Sequence, residues 1–174
     1  MSSSDPQLAT KLRHIYDEYR TALMRSKYYA HRLETYKKWD KTLEIALAVS
    51  TSSTVGTWAL WRIGYGKQAW AIIAGISALL AIVKPILQLQ NKIEQFSQLH
   101  ISHDSVYQDL KQLVKEIAIS HTITSEISKV FSVIQARYGA LALAEEAVPA
   151  KKLLQKYYDE VNKEIPPQTL WMPS

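Results

Sequence analysis

Apolar and aromatic residues recur at alternating steps of four and three residues along the first forty positions, the spacing of one face of an α-helix. No proline or glycine interrupts residues 7–55, so the pattern predicts one long helix. Asp5 and Pro6 precede it as a predicted N-cap and a first helical residue. The predicted inward seam of this helix comprises Leu8, Leu12, Ile15, Tyr19, Ala22, Ser26, Tyr29, Leu33 and Tyr36.

A second seam with the same spacing covers residues 110–141 and weakens at Ser120 and Thr124. Serine and threonine favour caps and turns over helix interiors, because their side chains bond to nearby backbone. We therefore predict a bend there, with helices near 105–119 and 125–147.

Ser125 is predicted to cap the second of these helices. A further helix is predicted after Pro149, and the two prolines at 166–167 end it. The remaining residues read as a tail, in which Trp171 is predicted to act as a docking anchor.

Between the two seams lies the most hydrophobic stretch of the chain. Residues 45–61 and 68–83 contain no charge, and a glycine-containing turn separates them. Counted with their flanks, the segments 42–61 and 68–87 reach the roughly 20 residues that a membrane-spanning helix needs. Residues typical of membrane interfaces flank both segments, namely Trp39, Trp58, Trp61, Tyr65, Trp70 and Lys84.

The predicted fold class is all-α, with a two-helix transmembrane hairpin continuous with long cytoplasmic antiparallel helices and a C-terminal helical extension. The predicted parts are a cytoplasmic N-terminal helix (1–41), the hairpin (42–87), a cytoplasmic helical region (88–165) and the tail (166–174). The alternative is a buried hairpin in a soluble helical bundle, because the apolar lengths lie near the lower limit for a span.

Small and hydroxylated residues occupy the middle of the first uncharged segment. Such residues allow close packing of membrane helices, and on one helix face they would also suit a water-filled pore in an oligomer. The candidate pore-lining or helix-packing residues are Glu44, Ser50, Ser53, Thr54, Thr57 and Ser77.

The net charge of +5 is concentrated before the hairpin. Residues 1–41 hold nine Lys and Arg against five Asp and Glu, whereas residues 88–174 hold nine against ten. Because cytoplasmic flanks are enriched in Lys and Arg, we predict a multi-pass protein of the inner membrane with both termini in the cytoplasm. The lipid bilayer is the expected partner, and no nucleic acid is expected, since basic and aromatic residues form no common stripe.

The sequence offers little for catalysis or metal binding. The chain has no cysteine, which excludes disulfides and thiolate chemistry. His100, His103 and Asp104 invite a metal hypothesis, but a site needs further ligands, and Ser102-His103-Asp104 equally suits a local helix break with capping chemistry. That adjacency is also not the geometry of a catalytic triad. We expect no enzymatic activity, no cofactor and no metal.

The order of these parts resembles the SLATT family, two-transmembrane proteins associated with nucleotidyltransferase and nucleotide-sensor domains in bacterial conflict systems. The resemblance rests on a basic and aromatic helix at 25–33, the short glycine-containing turn, the end of the second segment at 79–84 and the amphipathic continuation at 87–94. It covers residues 11–119.

The resemblance implies a membrane effector that oligomerises through its helices and forms a pore or disrupts the inner membrane after an upstream signal. A homo-oligomer is implied, with a signalling nucleotide or an associated sensor protein as a further partner. Two alternatives stay open: a membrane-anchored adaptor that binds a partner through its heptad helices, and a soluble helical bundle.

Overall fold

Four helices and one 3₁₀ turn have bounds within the described part of the chain. The computed structural model describes residues 6–51, 72, 75, 76, 78, 79, 82, 87–146 and 148–172. These residues contain no strand, so the predicted all-α class is confirmed. The elements are α1 (Pro6–Thr51), α2 (Leu89–Ser120), α3 (Ser125–Ala142), α4 (Lys151–Glu164) and the 3₁₀ turn (Pro167–Thr169).

The chain divides into two compact units. The first unit combines Met1–His31 with Phe96–Ser174, and the second unit is Arg32–Gln95. Within the second unit, the side-chain amide of Gln90 donates a hydrogen bond of 2.8 Å to Oδ2 of Asp40. That bond joins the C-terminal half of α1 to the start of α2.

In the first unit, α1 and α2 pack side by side in opposite directions. Tyr19 near the middle of α1 stacks on Tyr107 of α2, with ring centroids 5.3 Å apart. Leu12 and Ile15, earlier in α1, pack instead with Ile117, later in α2. Residues later in α1 therefore contact residues earlier in α2, so the two helices are antiparallel.

The predicted seam of α1 is the face that this packing buries. Six of its residues are buried, and the flanking Leu8, Leu33 and Tyr36 are half-buried. The heptad spacing is thus confirmed as the inward face, because residues three and four apart lie on one side of a helix. The six buried residues are Leu12, Ile15, Tyr19, Ala22, Ser26 and Tyr29.

Two local predictions about α2 and α3 are wrong. The local helix break considered at 102–104 as the alternative to a metal site does not occur, since α2 continues to Ser120 and buries His103. The N-cap of α3 is Thr124 rather than Ser125, because Thr124 has extended backbone and its Oγ1 accepts a hydrogen bond of 3.1 Å from the Ile127 amide. The predicted bend itself is confirmed.

The C-terminal residues pack against the other helices of the first unit. Val161 of α4 is buried in the core that Tyr19, Ala22 and Leu110 also share. The Tyr16 hydroxyl donates a hydrogen bond of 2.8 Å to the backbone carbonyl of Trp171. The Trp171 ring lies 5.1 Å from the ring of His121, so its predicted role as a docking anchor is confirmed.

Lys27 connects α1 to α4 through two carboxylates. Its Nζ donates to Glu160 at 2.6 Å and to Glu164 at 2.5 Å. Partial burial lowers the pKa of Lys27, but the hydrogen bonds to both carboxylates outweigh it and hold the pKa above its ordinary value. The same hydrogen bond lowers the pKa of Glu160.

We expect Lys27→Met to lower the free energy of unfolding at pH 7 by less than about 1 kcal/mol, because all three side chains are partly exposed. A lowered carboxyl pKa stabilises the fold above the unfolded-state pKa, and that stabilisation is lost as pH falls through the folded pKa. The difference between variant and wild type should therefore shrink as the pH falls below the ordinary carboxyl pKa of about 4.3. Urea unfolding at pH 7 and at about pH 3 tests this, with the exposed Lys152→Met as control; an equal difference at both pH values would contradict it.

No helix within the described residues is both long enough and apolar enough to cross a bilayer. A spanning helix needs roughly 20 apolar residues, whereas the described part of α1, Pro6–Thr51, carries charged residues as far as Glu44. The predicted multi-pass localisation in the inner membrane, with both termini cytoplasmic, is wrong on this finding. The transmembrane hairpin of the predicted fold class is likewise not supported.

Candidate docking groove between α2 and α3

A concave surface of the first unit lies along the α2–α3 hairpin. Residues 121–124 connect the two helices, and the Thr124 cap fixes where α3 begins. One stripe of each helix faces the core: Leu113 and Ile117 on α2, and Ile127 and Ile134 on α3. The adjacent stripes, offset by about one residue, form the walls of a groove of about 810 Å³.

Aliphatic side chains also line this groove, Ile119 near the end of α2 and Val130 and Val133 on α3. Ile119 is 82% exposed, Val133 is 69% exposed and Val130 is 46% exposed. The floor beneath them is shared with the core, because Leu113, Ile127 and Ile134 line both. Contiguous exposed apolar surface beside polar residues is typical of sites where another molecule binds.

Charged residues form the rim of the groove. At one end Arg137 of α3 pairs with Asp109 of α2. Toward the α2–α3 turn lie Glu116, Glu126 and Lys129, and none of these three makes an ion pair with any residue that the structure describes. The turn end of the groove therefore carries two unpaired carboxylates and one ammonium group, on a chain whose overall charge is positive.

Sequence reasoning missed this groove. The second seam was assigned to residues 110–141 as a single stripe, and Val130 and Val133 do not belong to it. The sequence does carry one signal for the groove: the apolar surface of α3 is wide. It covers two adjacent faces of the helix, which is more than one packing seam requires. The pattern could not show whether α1 or another helix covered the second face.

A second polar feature lies inside the bundle, away from the groove. His103 is fully buried, and its Nε2 lies 3.1 Å from Oε1 of Glu145 without the alignment of a hydrogen bond. Arg25 of α1 pairs with the other oxygen of Glu145 at 2.8 Å. The neighbouring Glu146 accepts a hydrogen bond of 2.6 Å from the Tyr28 hydroxyl. The loop after α3 is therefore held to α1 and α2 by its carboxylates.

Two tyrosines enclose His103 in this buried polar cluster. The Tyr29 ring stacks on the imidazole with centroids 5.2 Å apart, and the Tyr138 ring meets it edge-on at 5.6 Å. Burial, with the charge of Glu145, raises the pKa of Tyr29 to about 12. Burial also raises the pKa of Tyr138 to about 12. Both phenols stay protonated at neutral pH.

Ser26, His100 and Asp104 also meet, but not in the order that nucleophilic catalysis requires. The Ser26 hydroxyl lies 3.3 Å from Asp104 and 3.4 Å from Nδ1 of His100. The same Nδ1 lies 3.1 Å from the Ser26 backbone carbonyl, to which it can only donate. A catalytic triad needs the histidine to accept the serine proton and the carboxylate to orient the histidine. This contact instead joins α1 to α2.

The two histidines of the metal hypothesis, His100 and His103, lie in different environments on α2. His100 bonds to Ser26, whereas His103 faces Glu145. Over the described ranges, no group of three or more His, Cys, Asp or Glu side chains is placed to hold a metal ion.

The structure describes only three of the sequence-predicted site residues. Trp39 and Glu44 lie exposed on α1, and Ser50 lies in α1 with its side chain outside the described part. Roles in a pore or at an interface presuppose the membrane span, and no described contact tests them. The other predicted residues fall outside the described residues: Ser53, Thr54, Thr57, Ser77, Trp58, Trp61, Tyr65, Trp70 and Lys84.

Comparison of the chain with protein-family models, curated proteins and solved structures finds no match. The resemblance to the SLATT family therefore stays a prediction.

Proposed function

We propose that this chain is a non-enzymatic helical adaptor that binds an α-helix of a partner protein in the α2–α3 groove. The observation that carries the proposal is the exposure of Ile119, Val130 and Val133 along one groove whose floor is the core. Keeping large aliphatic side chains in water is unfavourable, and covering them stabilises a complex.

The shape of the groove favours a helix as the occupant. Residues 109–120 of α2 and 126–137 of α3 line it, and each stretch is about 16 Å long at a rise of about 1.5 Å per residue. That length accommodates three turns of a partner helix. Amphipathic helices bind such grooves through apolar residues at positions i, i+3, i+4 and i+7, and such a stripe would cover the exposed aliphatic residues of both walls.

The resemblance to conflict-system proteins suggests the class of partner, an associated sensor protein that supplies this helix. Pore formation is not part of the proposal, because no described helix can cross a bilayer. Homo-oligomerisation and a signalling nucleotide remain predictions, and no described contact is assigned to either.

The test uses a fluorescein-labelled, lactam-bridged peptide of three helical turns, with a leucine stripe and glutamine at its flanks. We expect micromolar binding to the wild type and at least tenfold weaker binding to Val133→Lys, because a lysine would be desolvated against the leucine stripe. Fluorescence anisotropy measures both.

Val148→Lys is the matched control, since Val148 is 84% exposed in the loop after α3 and does not line the groove. This control should bind like the wild type. No binding by the wild type, or equal binding by Val133→Lys, would overturn the proposed function.

A further inference from the structure

We infer that the partner helix is basic at the end that lies beside the α2–α3 turn, so that its lysine or arginine side chains meet Glu116 and Glu126. The inference rests on the proposed function and specifies the partner of the same groove. It follows from the distribution of charge along the rim.

Glu116 and Glu126 approach the groove from opposite walls. Glu116 lies on α2, four residues before that helix ends, and Glu126 lies in the first turn of α3. Both side chains are exposed and line the groove, and neither forms an ion pair within the described ranges. A helix in the groove would therefore have one unpaired carboxylate on each flank at this end.

The two ends of the groove differ in what they offer. At the far end, Asp109 and Arg137 already pair with each other, so that end has no charge left to satisfy. At the turn end, Lys129 offsets one of the two carboxylates and leaves a net charge of about −1, in contrast to the +5 of the whole chain. Complementary charges at an interface fix orientation and partner choice more than affinity. The partner is thus selected by its apolar stripe and oriented by its basic end.

Peptides with the same leucine stripe test this inference when their last turn carries either two lysines or two glutamates. We expect the wild type to bind the lysine peptide about tenfold more tightly than the glutamate peptide at low salt. The preference should shrink as salt rises, because exposed charges are screened.

The double variant Glu116→Lys and Glu126→Lys should bind the glutamate peptide more tightly than the lysine peptide. The milder variant Glu116→Gln and Glu126→Gln should bind both peptides equally, and it keeps the test sound if the lysine variant fails to fold. Lys129→Gln should widen the wild-type preference for the lysine peptide.

The control variant carries Glu94→Lys and Asp159→Lys, which change the net charge by the same amount at exposed positions outside the groove. This control should still bind the lysine peptide more tightly than the glutamate peptide. Tighter binding of the glutamate peptide by this control, or equal binding of both peptides by the wild type, would overturn the inference. The proposed function would still stand if the neutral peptide bound in a way that depends on Val133. Failure of every peptide to bind would overturn the proposed function itself.

Discussion

Truncation of Leu110 to alanine is expected to lower the free energy of unfolding by about 3 kcal/mol, within the range of about 2–5 kcal/mol for buried leucines. Leu110 of α2 is fully buried, and its cluster joins α1, α2, α3 and α4 through Ala22, Ile134 and Val161. The substitution removes apolar contact and leaves a cavity where four elements meet. Urea unfolding, followed by helical circular dichroism, gives the change from the midpoint and slope.

Leu143→Ala is the matched control for this experiment. Leu143 follows α3 and is 92% exposed, so the same substitution removes almost no buried surface. Its effect should stay within about 0.5 kcal/mol, as for surface substitutions away from special features. Equal effects of the two truncations would mean that the core does not lie where the antiparallel packing of α1 and α2 places it.

Replacement of Glu145 by alanine is expected to destabilise the protein by up to about 3 kcal/mol, the low end of the range for removing one partner of a buried ion pair. The carboxylate of Glu145 contacts Arg25 at 2.8 Å and the buried His103 at 3.1 Å. Without it, both basic groups lose the one negative charge that they share. The effect lies at the low end because Arg25 keeps about a quarter of its side chain exposed to water.

A double-mutant cycle with Arg25→Met separates the ion pair from the packing of the loop. We expect a coupling free energy of about 1–3 kcal/mol between positions 25 and 145. Glu116→Ala is the control, since that carboxylate is exposed and makes no ion pair in the described part of the chain. A loss below about 1 kcal/mol for Glu145→Ala would show that solvent screens the cluster.

The apolar content of the central stretch was not sufficient to predict a membrane span. Residues 45–61 and 68–83 lack charge, and the prediction counted them as two continuous helices with their flanks. A span depends on one unbroken apolar helix of roughly 20 residues, and no helix within the described residues is both that long and that apolar. Composition reports hydrophobicity per residue and does not by itself give the length of a helix.

The chemistry of residues 100–104 illustrates a second limit. Ser, His and Asp in succession resemble a capping segment when only local preferences are considered. Tertiary contacts overrule those preferences: His103 is enclosed by Tyr29 and Tyr138, and His100 bonds across to Ser26. Residues that were far apart in sequence therefore keep α2 helical through this stretch.

The sequence by itself determined the helical class, the buried seam of α1, the bend between α2 and α3 and the docking of Trp171. These features depend on the spacing of apolar residues and on local backbone preferences, both of which can be read from short stretches of the sequence. Only the tertiary structure decided which apolar stripe of α3 remains open and which carboxylates at the rim of the groove lack a partner. It also decided that Glu145, away from the groove, contacts Arg25 and His103. Those features depend on which helices cover one another, and that is set by contacts between residues up to 155 positions apart, as between Tyr16 and Trp171.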